Sequence, residues 1–294
     1  MRTFLGALVG AIFSCLTATA HAACEASFAE GATSVSLVSG TAFGEQELAE
    51  RFVVRVRNSG ADACALRLVV SRDLASSDPR FPAFLLVGPA GAIPIVAATT
   101  AGYDVNTAVT VNIPPGGQVS VPYDVRVDAG WGSEAGSYAL DLVYQLFDAT
   151  ALVELASQRT RLILDIPTVA RVRFAGASGS GGPAQVEMGE LSPIAPTTSP
   201  PLAIRVLSTA GYRMQLSSAN GGALVRIGGS ERIPYHLTLS GRLLDLSGGA
   251  GWVHVGQHTS AAGDVHPVSI TIYPDPTRHA GNYTDRVTIT VTPS

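Results

Sequence analysis

The residue types able to do chemistry in this chain are sparse and poorly spaced for it. Five of the six histidines, His236, His254, His258, His266 and His279, fall in the second half. The pair His254-x-x-x-His258 has the interval of a zinc-binding helix, but that interval brings two imidazoles together only over one helical turn. Val255 stands where a metalloprotease would carry its glutamate base, and Asp245 and Asp264 do not complete a ligand set. Gly179-Ser180-Gly181-Gly182 lacks the strand-to-helix setting that exposes a serine nucleophile and reads as a turn. Neither a phosphate-binding glycine loop nor a paired-carboxylate site stands out. The expectation is a protein that is not an enzyme, with no catalytic residue, no metal and no cofactor.

The remaining reactive side chains are thiols, and their use depends on compartment. Arg2 is the only charge before an apolar run from Phe4 to Leu16, and Ala20-His21-Ala22 offers the small-x-small pattern of signal peptidase, so residues 1–22 read as a signal peptide. A lipoprotein reading at Cys15 places Phe13 where a small residue is wanted. The apolar run is too short to span a bilayer, and no later stretch reaches about 18 uninterrupted apolar residues, so no membrane insertion is expected. Export leaves Cys24 and Cys64, which an oxidising periplasm would join. Closing that loop stabilises the fold by roughly 4 kcal/mol on the chain-entropy argument.

The elements that must position these residues are strands. After the signal peptide 272 residues remain, more than one core usually organises, so two domains are expected, at 23–167 and 168–294, with Pro167 at the boundary. Val, Ile, Thr and Tyr are plentiful, Gly and Pro punctuate the chain, and only 14% of residues are charged, which is poor material for surface helices. Lysine is absent and the net charge is -4, so no basic patch invites nucleic acid. Alternating or β-branched segments are expected as strands at Ser34 to Val38, Phe52 to Arg57, Ala65 to Val70, Val109 to Ile113, Gln118 to Val127, Tyr138 to Phe147 and Arg161 to Ile166. A second set is expected at Val169 to Phe174, Val186 to Leu191, Leu202 to Leu207, Tyr212 to Ser217, Pro234 to Leu239, Val268 to Tyr273 and Asn282 to Val291. Glu45 to Arg51 is the one short helix candidate. The fold class is all-β: two tandem immunoglobulin-like β-sandwiches.

The two halves echo one another. Thr100-Ala101-Gly102-Tyr103, then Gly116-Gly117 and Val121-Pro122-Tyr123, are matched in order by Thr209-Ala210-Gly211-Tyr212, Gly228-Gly229 and Ile233-Pro234-Tyr235. Ala135-Gly136-Ser137-Tyr138 is matched by Ala280-Gly281-Asn282-Tyr283, each opening an alternating strand. Glycines at a turn followed by proline at the start of a strand suit a hairpin edge, and the repeated order points to a duplicated domain.

Three stretches of the second half carry a family resemblance: Tyr212-Arg213-Met214-Gln215-Leu216-Ser217-Ser218-Ala219-Asn220-Gly221-Gly222, Ile233-Pro234-Tyr235, and Ala280-Gly281-Asn282-Tyr283-Thr284-Asp285-Arg286-Val287-Thr288-Ile289-Thr290-Val291. Residues 168–294 resemble the spore coat protein U-like family, which supplies subunits of archaic, Csu-type chaperone-usher pili. The resemblance implies a pilin-like sandwich lacking one strand, the gap being filled by a periplasmic pilus chaperone and then by the N-terminal extension, or donor strand, of a neighbouring pilin subunit, with an outer-membrane usher as a further partner. It further implies export through the periplasm to a pilus on the cell surface, and a role in adhesion and biofilm formation.

A subunit that donates a strand needs a free tail of about a dozen residues. Cys24 lies two residues beyond the expected cleavage site, where a disulfide anchors it, so the expectation is a tip subunit whose residues 23–167 face outward. Phe81, Phe84, Tyr103 and Trp131, in glycine- and proline-flanked segments, are the candidate contacts for an abiotic or host surface, with core strand as the competing reading for Phe84. The alternatives are a secreted coat-like structural protein with complete sandwiches, or a metal-binding or hydrolytic secreted domain.

Overall fold

The computed structural model describes residues 24–31, 33–38, 43–44, 47–93, 95–97, 108–175, 183–248 and 250–294; the expected signal peptide, Tyr103 and Ser180 lie outside them. The strands of the first half are β1 (Ala26–Phe28), β2 (Ser34–Val38), β3 (Leu48–Asn58), β4 (Cys64–Asp73), β5 (Phe84–Gly88), β6 (Gly91–Ile93), β7 (Val96–Ala97), β8 (Val109–Ile113), β9 (Gln118–Val127), β10 (Gly136–Asp148) and β11 (Glu154–Ile166). Those of the second half are β12 (Ala170–Ala175), β13 (Thr197–Thr198), β14 (Leu202–Ser208), β15 (Tyr212–Ser218), β16 (Ala223–Arg226), β17 (Arg232–Pro234), β18 (His236–Leu239), β19 (Arg242–Leu244), β20 (Ala250–Val255), β21 (Asp264–Ile272), β22 (Tyr283–Thr284) and β23 (Val287–Pro293). No helix occurs among the described residues.

Period-two sequence becomes sheet because one face of each strand is buried. Along β10 the residues Tyr138, Leu140, Leu142, Tyr144 and Leu146 point into the front core, and along β9 Val121, Tyr123, Val125 and Val127 do the same from the opposing sheet. The front sandwich packs the sheet β1-β3-β9-β5-β6 against β2-β11-β10-β4-β7, with β8 added to β4. The rear sandwich packs β12-β14-β21-β18-β19, with β13 added to β21, against β20-β15-β23, beside a small sheet β17-β16-β22. Its core of Ile204, Val206, Tyr212, Met214, Leu216, Leu237, Leu239 and Ile272 is separate from the front one. Both adopt the two-sheet immunoglobulin pattern.

Three expectations are corrected. Leu48 to Arg51 begins the long strand β3, whose neighbour β9 supplies the backbone partners that a short isolated helix would lack. Val186 to Leu191 belongs to no strand ladder, although Met188 and Leu191 pack on the rear core; alternation reports a buried face, not a neighbouring strand. Asn282 to Val291 is broken into β22 and β23 because the Asp285 carboxylate turns inward to accept hydrogen bonds from Ser218 Oγ at 2.6 Å, Tyr235 Oη at 2.6 Å and Asn220 N–H at 3.1 Å.

Candidate functional site

The second echo has a structural meaning. Tyr138 Oη donates to the carbonyl of Glu134 at 2.7 Å, and Tyr283 Oη donates to that of His279 at 2.8 Å. Each tyrosine reaches back four residues to tie down the chain that enters its strand, the tyrosine corner of immunoglobulin-like sandwiches. Gly136 and Gly281, two residues before the tyrosines, adopt φ of 153° and 158°; a side chain at Gly281 would collide with Arg226. The corner makes β22–β23 the counterpart of β10. Their partners agree: β10 pairs Leu146 with Leu68 of β4, and β23 pairs Val291 with Met214 of β15, all core-facing.

The two counterpart strands differ at their second edges. β10 carries β11 there, antiparallel from Gly136↔Ile166 through Leu146↔Ala156, and β11 is itself covered by β2 in parallel register, Arg161↔Ser34 to Asp165↔Val38. β23 pairs with β15 alone among the described residues, so its second row of backbone donors and acceptors has no ladder. β12, the edge of the opposing sheet, approaches β23 without pairing to it. The side chains along this slot are apolar and incompletely covered. Val287, Ile289 and Val291 share the core face with Leu216 and Met214 yet are only half-buried. Phe174, opposite the fully buried Ile204, is 48% exposed. A core-facing phenylalanine in water marks a layer that lacks one strand.

At the far end of the front sandwich three loops converge. Cys64 and Ile113 are paired, so the Pro114–Gly117 turn lies beside the Cys24–Cys64 disulfide, whose sulfurs are bonded as expected from sequence. Ser59 N–H donates to Glu25 O and Ala149 N–H to Ala65 O, which adds the loops 59–63 and 149–153. The last of these is a built hairpin: Asp148 Oδ1 accepts from Thr150 N–H at 2.8 Å and Ala151 N–H at 2.6 Å, contacts that hold its carboxyl below the usual range, the Ala151 bond foremost. Leu152 is left-handed at φ 56°, and Leu152 and Val153 stand 52% and 57% exposed. Sequence reasoning missed both, although an Asp-Ala-Thr-Ala stretch ahead of two aliphatics carried the turn signal.

The aromatic residues singled out from sequence gather at the opposite end. Phe84 pairs with Val127 at the end of β9, and Phe81 packs edge-on to Phe84 at 5.9 Å. Phe81 is 6% exposed, so its reading as a surface contact is corrected: the apolar run Phe84–Val87 forms β5 and closes over it. Trp131 is half-buried, edge-on to Phe43 at 5.5 Å, and its loop abuts the rear sandwich at Ala261, where a Cβ on Gly132 would lie 2.8 Å from the Ala261 nitrogen. These residues therefore adjoin the junction between the sandwiches. The junction is hydrogen-bonded: Ala135 N–H donates to Thr209 O at 2.6 Å and the buried Thr209 Oγ1 to Pro167 O at 2.7 Å.

The histidines of the second half are dispersed. His254 lies on β20 and His258 in the loop beyond it, both exposed, and among the described residues no group of three or more metal-ligating side chains forms. His266 instead joins a half-buried network: Tyr212 Oη lies 2.7 Å from His266 Nε2 and donates to Asp264 Oδ2 at 2.9 Å, while His266 Nδ1 lies 3.2 Å from Ser240 Oγ. Burial lowers the His266 pKa against the opposing pull of Asp264, and burial raises that of Tyr212.

No family model matches the chain, and no curated protein does. Among solved structures it is similar to the chaperone–tip adhesion subunit pre-assembly complex CsuC–CsuE from the archaic chaperone-usher Csu pili of Acinetobacter baumannii, at 15% identity over 92% of this chain and 99% of that one, with a TM-score of 0.40. It is similar also to the CupB6 tip adhesin of Pseudomonas aeruginosa, at 14% identity over 91% and 94%, TM-score 0.37. A third is the Salmonella enterica SafA pilin in complex with the SafB chaperone, at 11% identity over 82% and 93%, TM-score 0.26.

Proposed function

We propose that the chain is an exported adhesive subunit of a chaperone-usher pilus, seated at the tip, with residues 168–294 docked into the fibre by donor-strand complementation and residues 23–167 facing outward. The carrying observation is the open second edge of β23 beside half-buried Val287, Ile289 and Val291 and exposed Phe174, where the front sandwich holds β11. An extended segment added there gains a ladder of hydrogen bonds and buries alternate side chains, which is the way exposed sheet edges take up strands. The partners on this reading are a periplasmic chaperone, the usher and one neighbouring subunit. The disulfide at Cys24 ties the start of β1 to the front sandwich, which supports an acceptor that does not donate. Attachment falls to the distal loops, where Leu152 and Val153 face water, and surface attachment of this kind supports biofilm formation.

Hydrogen exchange on the full chain, alone and co-purified with its periplasmic chaperone, tests the reading. Amides of β23 should exchange quickly in the chain alone and become protected in the complex. Full protection of β23 in isolation would sink it. Replacing Leu152 and Val153 by serine should reduce attachment of piliated cells to a plastic surface at unchanged pilus abundance.

A further inference from the structure

The outward face of β12 carries a second feature of the slot's wall. Arg173 lies directly opposite Arg205 of β14, and both are exposed. Facing residues on paired strands sit about 4.5–5.5 Å apart at their β-carbons, close enough that like charges destabilise the pair. Several arginines of the described residues are set against carboxylate, as in Arg161–Asp141 at 2.8 Å and Arg51–Asp124 at 2.7 Å. Among the described residues neither Arg173 nor Arg205 has such a partner. Two guanidinium groups without a carboxylate partner thus face each other on the strand that borders the slot and on its neighbour β14.

We propose that Arg173 and Arg205 form a docking patch for carboxylates on the protein that supplies the missing strand. The inference rests on the donor-strand reading and specifies the chemistry of that partner: an apolar, alternating segment flanked by acidic side chains that lie over the outer face of β12. Guanidinium groups suit this role because their planar fork binds carboxylates bidentately. The paired charges repel in the free chain and are neutralised in the complex, so the patch favours the occupied state. Being exposed, they steer encounter as well as holding the complex, and both effects weaken with salt.

The test uses the full chain and labelled synthetic peptides copying Glu154–Ile166, the strand that closes the front sandwich, extended at either end by an aspartate or an asparagine tail. Fluorescence anisotropy should give the better-placed aspartate peptide about tenfold tighter binding than its asparagine twin, as one or two charge-assisted hydrogen bonds would. That advantage should shrink at high salt and vanish in R173Q/R205Q, while asparagine peptides bind the variant as they bind the parent. Thermal unfolding of the variant, unchanged or slightly raised, establishes that it folds. Equal affinities for the two tails, or an advantage that survives in R173Q/R205Q, would overturn the proposal. Self-association of the variant without loss of the aspartate advantage would also overturn it, assigning the arginines to guarding the edge. If neither peptide binds, the donor-strand reading itself fails, and this inference with it.

Discussion

The two sandwiches begin the same strand with the same tyrosine corner and then part company. After Tyr138 the front one runs through β10 into β11, and every core-facing residue of β10 is buried; after Tyr283 the rear one runs through β23, and its core-facing residues stay half wet. Side-chain character does not account for the contrast, since Val287, Ile289 and Val291 are as apolar as Leu140, Leu142 and Leu146. The neighbour does. A β-strand's apolar face is buried by what lies across the sandwich and by the strands on both sides of it, and among the described residues β23 has a neighbour, β15, on one side alone.

The largest break in that comparison comes from treating equivalent strands alike. Leu162→Ala on β11 empties a fully buried site and should cost about 2–5 kcal/mol in denaturant unfolding of the front sandwich, whereas Ile289→Ala on β23, half-buried, should cost distinctly less in the isolated chain. Equal losses would mean that β23 is as well covered as β10. Next in size is the disulfide, which crosses only the front sandwich: Cys24→Ser with Cys64→Ser should remove about 2–4 kcal/mol and shift one calorimetric transition while leaving the other in place.

The corners sharpen the comparison by predicting sameness. Tyr138→Phe and Tyr283→Phe each delete one hydrogen bond to a backbone carbonyl and should each cost about 0.5–1.5 kcal/mol, read from the transition of the sandwich concerned. Smallest is the pH dependence, confined to the rear sandwich. Burial holds the folded His266 pKa below its unfolded value of about 6.5, so between the two the unfolded chain binds the extra proton. The contribution is therefore intact above about pH 6.5 and is lost as pH falls toward the folded value. In His266→Gln the rear transition should lose this acid sensitivity, and the front transition, whose described residues include no histidine, should not respond to the substitution.

Much of the frame was legible from residues alone. Ser34–Val38, Val109–Ile113 and Gln118–Val127 are strands with the bounds their alternation implies, because each has one face on a core and one in water. The repeated Ala-Gly-x-Tyr was visible as letters, and the disulfide came from export and cysteine number. The burial of individual aromatic side chains was not legible. Phe81, Phe84 and Trp131 are the kind of residue that a loop can present, but whether an aromatic faces water is set by what packs around it: Phe81 is buried, while Phe84 on β5 and Trp131 near the junction are half-buried. For Leu152 and Val153 the letters offered only the turn signal ahead of them; the Asp148 hydrogen bonds and a left-handed backbone at Leu152 put them outside.

The sequence by itself determined the all-β class, the period of each strand, the covalent loop and the absence of lysine, since these depend on local alternation and composition. Only the tertiary structure decided that β11 has a place beside β10 while β23, among the described residues, keeps an open edge, and that Arg173 of β12 faces Arg205 of β14. Pairing is a property of two chain segments at once, and no single segment records who its neighbour is.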